Sequence, residues 1–321
     1  MATGVTASAM AASLSGAGST LVAPLEAKWA AGFASTGSIS YSAVGSGTGI
    51  TDITDNLVDF GASDAPLTPA QQLACPTCVQ MPWALSATAV GFHLSGISSL
   101  KLTGKVLSEI YLGTIKNWDN AAIKKLNKGV KLPNRKITPI YRSDGSGDTY
   151  AFTNYLSHVS SSWASKVGPP ATTVSFPAGI SGKGNAGVTA ILANTNGGIA
   201  YIAASYLIEQ GGLGAVAVQN AAGKYEYPNI PEIEAAAQAF HSIPSNNAIS
   251  IVDPPKSAKK AYPISTYTYV IVHNNTPKKS QLTAWIDYAL TTGQAFGNTL
   301  DFATLPSAVV TAAENTLASL T

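Results

Sequence analysis

The stretch Arg142-Ser143-Asp144-Gly145-Ser146-Gly147-Asp148-Thr149 has the residue types of an anion site. Arginine supplies a fixed positive charge and a planar fork of donors that suits an oxyanion. Asp144, two residues on, is placed to orient that fork. The glycines let a backbone come close to a ligand. The stretch lies between a strand-like run, 137–141, and a helix-like run, 150–156. At such a junction the first helical turn leaves N–H groups unpaired at the positive end of the macrodipole, which favours an anion. Many turns between a strand and a helix are rich in Gly and Ser for steric reasons alone, so this stretch by itself leaves both readings open.

Two further segments share the design. Ser19-Thr20 precedes a helix opened by Pro24 that carries Leu25, Trp29 and Phe33 on one face. Ser46-Gly47-Thr48 precedes a helix over 50–56. Each puts hydroxyls and backbone donors beside a helix start, and three such turns with Arg142 are better explained by one shared tetrahedral anion. Competing chemistries lack their residues. Gly182-Lys183 is followed by Gly184 where a P-loop needs Ser or Thr, and Pro177 stands where its first glycine belongs. Ser46 and Ser146 have no glycine two residues upstream, as a nucleophile elbow requires. His93, His158, His241 and His273 lie outside these turns, so no base is offered to activate a serine. No catalytic residue, metal or cofactor is expected.

Cys75 and Cys78, spaced C-P-T-C, follow Pro66 and Pro69 in a loop. A redox dithiol would want a thioredoxin-like context. A zinc site needs four ligands, which the scattered histidines do not complete. A small structural disulfide in an exported protein is the preferred reading, with two unrelated thiols as the alternative.

The elements that must position these residues read as α/β. A small-residue loop over 14–20 leads into the first helix; then come a strand at 39–44, a Gly-rich loop at 45–49, a helix, and a buried-type strand at 58–62. Further strands are expected near 82–94, 198–202 and 267–272, with helices over 228–241, 279–296 and 306–320 and a long irregular piece at 242–260. A length of 321 residues suggests about two domains. Charged residues make up 11%, against ~25% in an average soluble chain, and the net charge of +2 provides no broad field to recruit nucleic acid or anionic lipid. Lys124, Lys125, Lys128 and Lys131 lack interleaved aromatics and read as a solvated face. No apolar run reaches the ~20 residues of a membrane span. Residues 1–13 have neither a basic start nor an apolar stretch of a secretion signal, and read as a flexible leader.

The sequence resembles the phosphate-binding proteins (PstS type) of bacterial phosphate ABC importers. The resemblance runs from Leu14 to about Phe296 and rests on Ser15-Gly16-Ala17-Gly18-Ser19-Thr20, Val58-Asp59-Phe60-Gly61-Ala62-Ser63-Asp64-Ala65-Pro66, Ile110-Tyr111-Leu112-Gly113-Thr114-Ile115-Lys116-Asn117-Trp118, Arg142-Ser143-Asp144-Gly145-Ser146-Gly147 and Gly182-Lys183-Gly184-Asn185. It implies a two-lobed periplasmic-binding-protein (type II) fold with the ligand cleft between lobes and a two-strand hinge. Lobe I would comprise 14–85 plus 265–321 and lobe II 86–264, with crossings near 79–94 and 262–272. It also implies a monomer outside the cytoplasmic membrane, in the periplasm or on the membrane's outer face, that hands inorganic phosphate to a membrane permease. Carried over by position, the ligand set is Thr20, the Leu21 N–H, Ser46 and Asp64 from the first lobe, and Arg142, Ser146, Gly147 and Asp148 from the second, with Asp144 holding Arg142. Asp64 is the informative member, because an ionised carboxylate only accepts a hydrogen bond and so suits a ligand that carries a proton. Asp148 departs from the threonine that relatives often carry there. Its side chain is expected to swing away into the helix's first turn, the alternative being a second acceptor that favours dihydrogen phosphate. The rivals are a phosphate-ester hydrolase and a binding protein for sulfate.

Overall fold

The computed structural model describes residues 12–321. Its strands are β1 (Ala12–Gly18), β2 (Gly37–Ala43), β3 (Phe60–Ser63), β4 (Cys78–Phe92), β5 (Ser99–Leu102), β6 (Thr138–Arg142), β7 (Ile180–Gly182), β8 (Gly198–Ala203), β9 (Gly214–Gln219), β10 (Tyr225–Glu226) and β11 (Ser265–His273). Its helices are α1 (Ala23–Phe33), α2 (Ser46–Thr54), α3 (Pro69–Ala74), α4 (Gly104–Tyr111), α5 (Ala121–Leu126), α6 (Gly147–Val159), α7 (Ser161–Val167), α8 (Gly184–Ala193), α9 (Ala204–Glu209), α10 (Ile230–Gln238), α11 (Lys279–Leu290) and α12 (Ser307–Ala318). The main sheet runs β2-β1-β3-β11-β4-β8-β6-β7, with β5, β9 and β10 branching from β4. This is the α/β organisation the alternation of elements requires.

Two central strands join two sets of parallel strands. β1 pairs in parallel with β2 and β3, and β6 pairs in parallel with β7 and β8. Between them β4 runs antiparallel to β11 from Cys78↔His273 to Ala87↔Ser265, then changes partner and runs antiparallel to β8 from Thr88↔Ala203 to Phe92↔Ile199. Both strands are buried along almost their whole length, which explains their long apolar runs. Among their buried polar residues, Thr88, Thr266 and Thr268 hydrogen-bond toward the strand ends where the parallel sets meet. The register of β4 against β11 shifts between Thr268 and Tyr269, a bulge of the kind that re-aims a side chain.

Several boundaries differ from the sequence expectation. The segment read as a loop over 14–20 is mostly strand β1, buried between β2 and β3. Its small residues are steric: a Cβ on Gly16 would overlap the Phe60 ring. Ala12 and Ser13, assigned to the leader, begin that strand, while residues 1–11 lie outside the described residues. α2 and α6 start earlier than expected, at Ser46 and Gly147, so the candidate residues sit in the first turns themselves. The expected helix over 279–296 ends at Leu290 and continues as a 3₁₀ segment, Thr292–Leu300. Among the described residues no helix is long and apolar enough to cross a membrane.

The core on the β1 side is an aromatic cluster in which Trp83 meets Trp29 edge-on at 5.1 Å and Trp285 at 6.3 Å. Beside it Glu26 of α1 is buried, and its Oε1 has no hydrogen-bond partner among the described residues. Burial alone pushes its pKa up to about 8. A buried acid with a raised pKa binds its proton more tightly folded than unfolded, so its contribution to stability is full in acid and is lost as pH rises through that value. Glu26→Gln is expected to leave melting near pH 5 almost unchanged and to stabilise the fold near pH 9 by roughly 2–4 kcal/mol. Thermal unfolding at the two pH values checks this; equal shifts at both would mean that Glu26 is not titrating.

Candidate anion-binding site

The N-terminal ends of α1, α2, α6 and α8 converge. β1 delivers Ser19 and Thr20 to the start of α1; β3 ends at Ser63, next to Asp64; β6 ends at Arg142. Close approach of the turns depends on glycine. Gly45 has φ +100°, and a Cβ there would collide with Asp144 Oδ2 and the Gly145 carbonyl. Gly47 N–H donates to the Gly145 carbonyl at 2.9 Å, so the turn before α2 touches the turn before α6 directly. A Cβ on Gly147 would overlap Asp64.

Asp64 is 1% exposed and sits among hydroxyls. Its Oδ1 accepts from Ser19 Oγ (2.6 Å) and Thr268 Oγ1 (2.7 Å), and its Oδ2 from Ser19 Oγ (2.8 Å) and Ser46 Oγ (3.3 Å). Burial, and then the charge of Asp148, push its pKa up to about 7; the bonds from Ser19 and Thr268 and the charge of Arg142 pull the other way. Ser46 Oγ in turn accepts from the N–H groups of Asp64 (3.2 Å) and Gly147 (3.1 Å).

Arg142 is held on two sides. Asp144 takes its fork bidentately, Nε to Oδ1 at 2.8 Å and Nη2 to Oδ2 at 2.5 Å, and Asp148 Oδ2 takes Nη1 at 3.1 Å. Burial opposes the charge of Arg142, but the bond to Asp144 and the charges of Asp148 and Asp144 outweigh it and raise its pKa. Asp144 is likewise resisted by burial, yet its bond and charge interaction with Arg142 lower its pKa. Asp148 is pushed up by burial, against the pull of Arg142, Thr88 and Asn185. Of the two interacting carboxylates, Asp148 has the guanidinium at 3.1 Å while Asp64 has hydroxyl donors, so Asp64 is the one more strongly resisted as an ion.

With one cation and up to three carboxylates, the site has no net positive charge. An anion there is held by oriented N–H and O–H dipoles, with Asp64 as an acceptor for a proton that the ligand carries. Thr20 and Ser146 have hydroxyl hydrogens to give: Thr20 Oγ1 accepts from Asn185 N (3.3 Å) and Nδ2 (2.9 Å), and Ser146 Oγ accepts from Thr149 N as the cap of α6.

A PBP superfamily domain matches residues 4–292 of this chain. The phosphate-binding protein PstS of Xylella fastidiosa is 36% identical over 306 residues, covering 92% of this chain and 82% of that protein. That of Pasteurella multocida is 35% identical over 307 residues, covering 94% and 88%. The chain belongs to the PstS family of the PBP superfamily. A phosphate-binding protein from Stenotrophomonas maltophilia has the same fold, with a TM-score of 0.74 at 18% identity over 95% of this chain and 94% of that one.

Set against the ligand set implied by the PstS resemblance, the structure brings Thr20, Leu21, Ser46, Asp64, Arg142, Ser146, Gly147 and Asp148 to one place, with Asp144 behind Arg142. Two positions differ in detail. Leu21 N–H donates to Ser19 Oγ (3.0 Å), which makes Ser19 both an acceptor for the turn before α1 and the main donor to Asp64. Asp148 does not swing away. It is fully buried and points inward, accepting from Thr88 Oγ1 (2.8 Å), Arg142 and Asn185 Nδ2 (2.8 Å), because a guanidinium within reach outweighs the helix dipole alone. Sequence reasoning put Ser19 in a candidate turn without its role as donor to Asp64, and missed Thr88, Thr268 and the role of Asn185. Asn185 opens α8, bonds Thr20 and Asp148 through Nδ2, and accepts from Ala203 N at 2.8 Å. Asn185→Ala leaves the buried Ala203 N–H unpaired and is expected to cost about 1–3 kcal/mol in urea unfolding. A cost below about 0.5 kcal/mol would show that this bridge contributes nothing.

Proposed function

We propose that this chain captures inorganic phosphate outside the cytoplasmic membrane and delivers it to the permease of an ABC importer, without catalysing a reaction. The observation that carries this reading is Asp64: a buried acceptor facing a ring of donors suits an oxyanion that brings its own proton. Phosphate would take the hydroxyls of Thr20, Ser46 and Ser146, the guanidinium of Arg142, and the N–H groups of Leu21, Gly147 and Asp148. Leu21 and Gly147 would exchange Ser19 and Ser46 for ligand oxygens. The lobes proposed, 14–85 with 265–321 and 86–264, would close over the ligand as a monomer by bending where β4 changes partner.

The hydrolase reading is disfavoured by the hydroxyls themselves. Those of Thr20, Ser46 and Ser146 bond to Asn185, Asp64 and backbone N–H groups, and no histidine among the described residues reaches them. Calorimetric titration of ligand-stripped protein with phosphate, arsenate and sulfate tests the proposal. One phosphate is expected per chain, arsenate weaker, and sulfate weaker than phosphate by about 10⁴-fold, the discrimination available to a site with a buried polar group that only the right ligand satisfies. Equal sulfate binding, or turnover of a generic phosphate ester that Ser46→Ala abolishes, would overturn it.

A further inference from the structure

Cys75 and Cys78 are joined by a disulfide, with Cα atoms 5.3 Å apart. They lie on the tight turn between α3 and β4, and both are buried. The histidines look scattered in sequence, yet the end of β11 places His273 opposite Cys78 in the register of the sheet. Its Nδ1 lies 3.7 Å from Cys75 Sγ and 2.7 Å from Thr77 Oγ1. The two sulfurs and a His273 ring nitrogen all lie within 4.8 Å of one another.

The tautomer of His273 is fixed by its far side. Nε2 is 2.8 Å from the Ile53 carbonyl, which can only accept, so Nε2 carries the hydrogen. Nδ1 then presents its lone pair toward Thr77 and the sulfurs. A ring nitrogen bonded to a backbone carbonyl while the other faces thiol ligands is the outer support that metal-binding histidines use. The C-x₂-C spacing on a turn is equally that of a metal knuckle.

We propose that the reduced form of this cluster is a binding site for one zinc-class divalent cation, held by Cys75, Cys78 and His273 Nδ1, with the fourth position taken by a solvent molecule. A dithiol reductant breaks the S–S bond by giving two electrons and two protons, and is itself oxidised to a disulfide. The two cysteine thiols then release two protons as the cation binds. His273 Nδ1 exchanges the Thr77 hydroxyl hydrogen for the cation. Oxidation and metal binding are mutually exclusive at these sulfurs. Two thiolates with one imidazole select zinc over hard cations such as Mg²⁺ and Ca²⁺. The site shares no residue with the anion ligands and is independent of the phosphate reading.

The test uses the full chain, reduced anaerobically with a phosphine (which becomes the phosphine oxide), freed of reductant and kept in phosphate-free buffer. Co²⁺ serves as the probe. One equivalent is expected to give a thiolate-to-cobalt charge-transfer band in the reduced protein and none in the oxidised protein, and Zn²⁺ should abolish it. His273→Gln should weaken binding at least tenfold, whereas Thr77→Val, which frees the Nδ1 lone pair, should leave it equal or tighter. X-ray absorption on the unmutated Zn²⁺ form, expected to show two sulfurs and one imidazole, decides the point without any variant. The proposal is overturned if reduced protein with two reactive thiols shows no band, if imidazole is missing from the zinc shell, if His273→Gln binds as tightly, or if reduction unfolds the chain by circular dichroism.

Discussion

Arg142→Met is expected to abolish phosphate binding in calorimetry, a loss of more than about 10³-fold, and to destabilise the fold by about 3–5 kcal/mol. The binding loss follows from losing the one cation in a group of carboxylates. The stability loss has a separate origin: Asp144 and Asp148 both lean on Arg142, and Asp148 is buried with no other charge partner among the described residues. Removing one partner of a buried pair leaves an uncompensated charge, which costs more than the pair contributed. Lysine should not rescue, because a single ammonium cannot serve Asp144 bidentately and Asp148 at once. The two effects separate in the double variant Arg142→Met with Asp148→Asn. Stability should partly recover there, since the stranded charge is gone, while phosphate binding stays lost. Recovery of binding in the double variant would show that Arg142 serves only to neutralise Asp148.

The same arrangement shows which parts of the site a sequence can disclose. Arg142, Ser146 and Gly147 were legible because a strand, a Gly-rich turn and a helix start follow one another within a few residues, and local order fixes where such a turn points. Ser46 was legible for the same reason. Thr88 and Thr268 were not: inside apolar runs a threonine looks like any β-former, and only the partner change of β4 and the bulge beside Thr268 turn these hydroxyls onto Asp148 and Asp64. β1 was read as a loop because small residues suggest one; the strand is specified by what lies over it, the Phe60 ring above Gly16. His273 is a purely long-range case. It stands 198 positions from Cys75, and the pairing of β11 with β4 alone brings them together.

Asp64→Asn is expected to bring sulfate binding to within about tenfold of phosphate, erasing most of a discrimination of about 10⁴. The wild-type carboxyl can take a hydrogen from a protonated phosphate oxygen, and sulfate has none to give; its ionised form facing sulfate leaves two acceptors opposed in a buried place. An asparagine amide can donate, so it satisfies either anion, and phosphate affinity should change little. The substitution also carries a stability signature that binding alone does not. Asp64 has its pKa raised to about 7 in the fold, from an ordinary 3.8, by burial first and by Asp148 second. A raised acid favours the folded state fully below its ordinary value and loses that contribution as pH rises through 7. Ligand-free Asp64→Asn should therefore melt almost like wild type near pH 4 and be the more stable of the two near pH 8, by about 2–4 kcal/mol. Raised sulfate affinity without the pH-dependent gain would mean that Asp64 is already ionised at little cost in the free protein. A pH-dependent gain without relaxed selectivity would place the choice between phosphate and sulfate elsewhere, with Asp148 the next carboxylate to test.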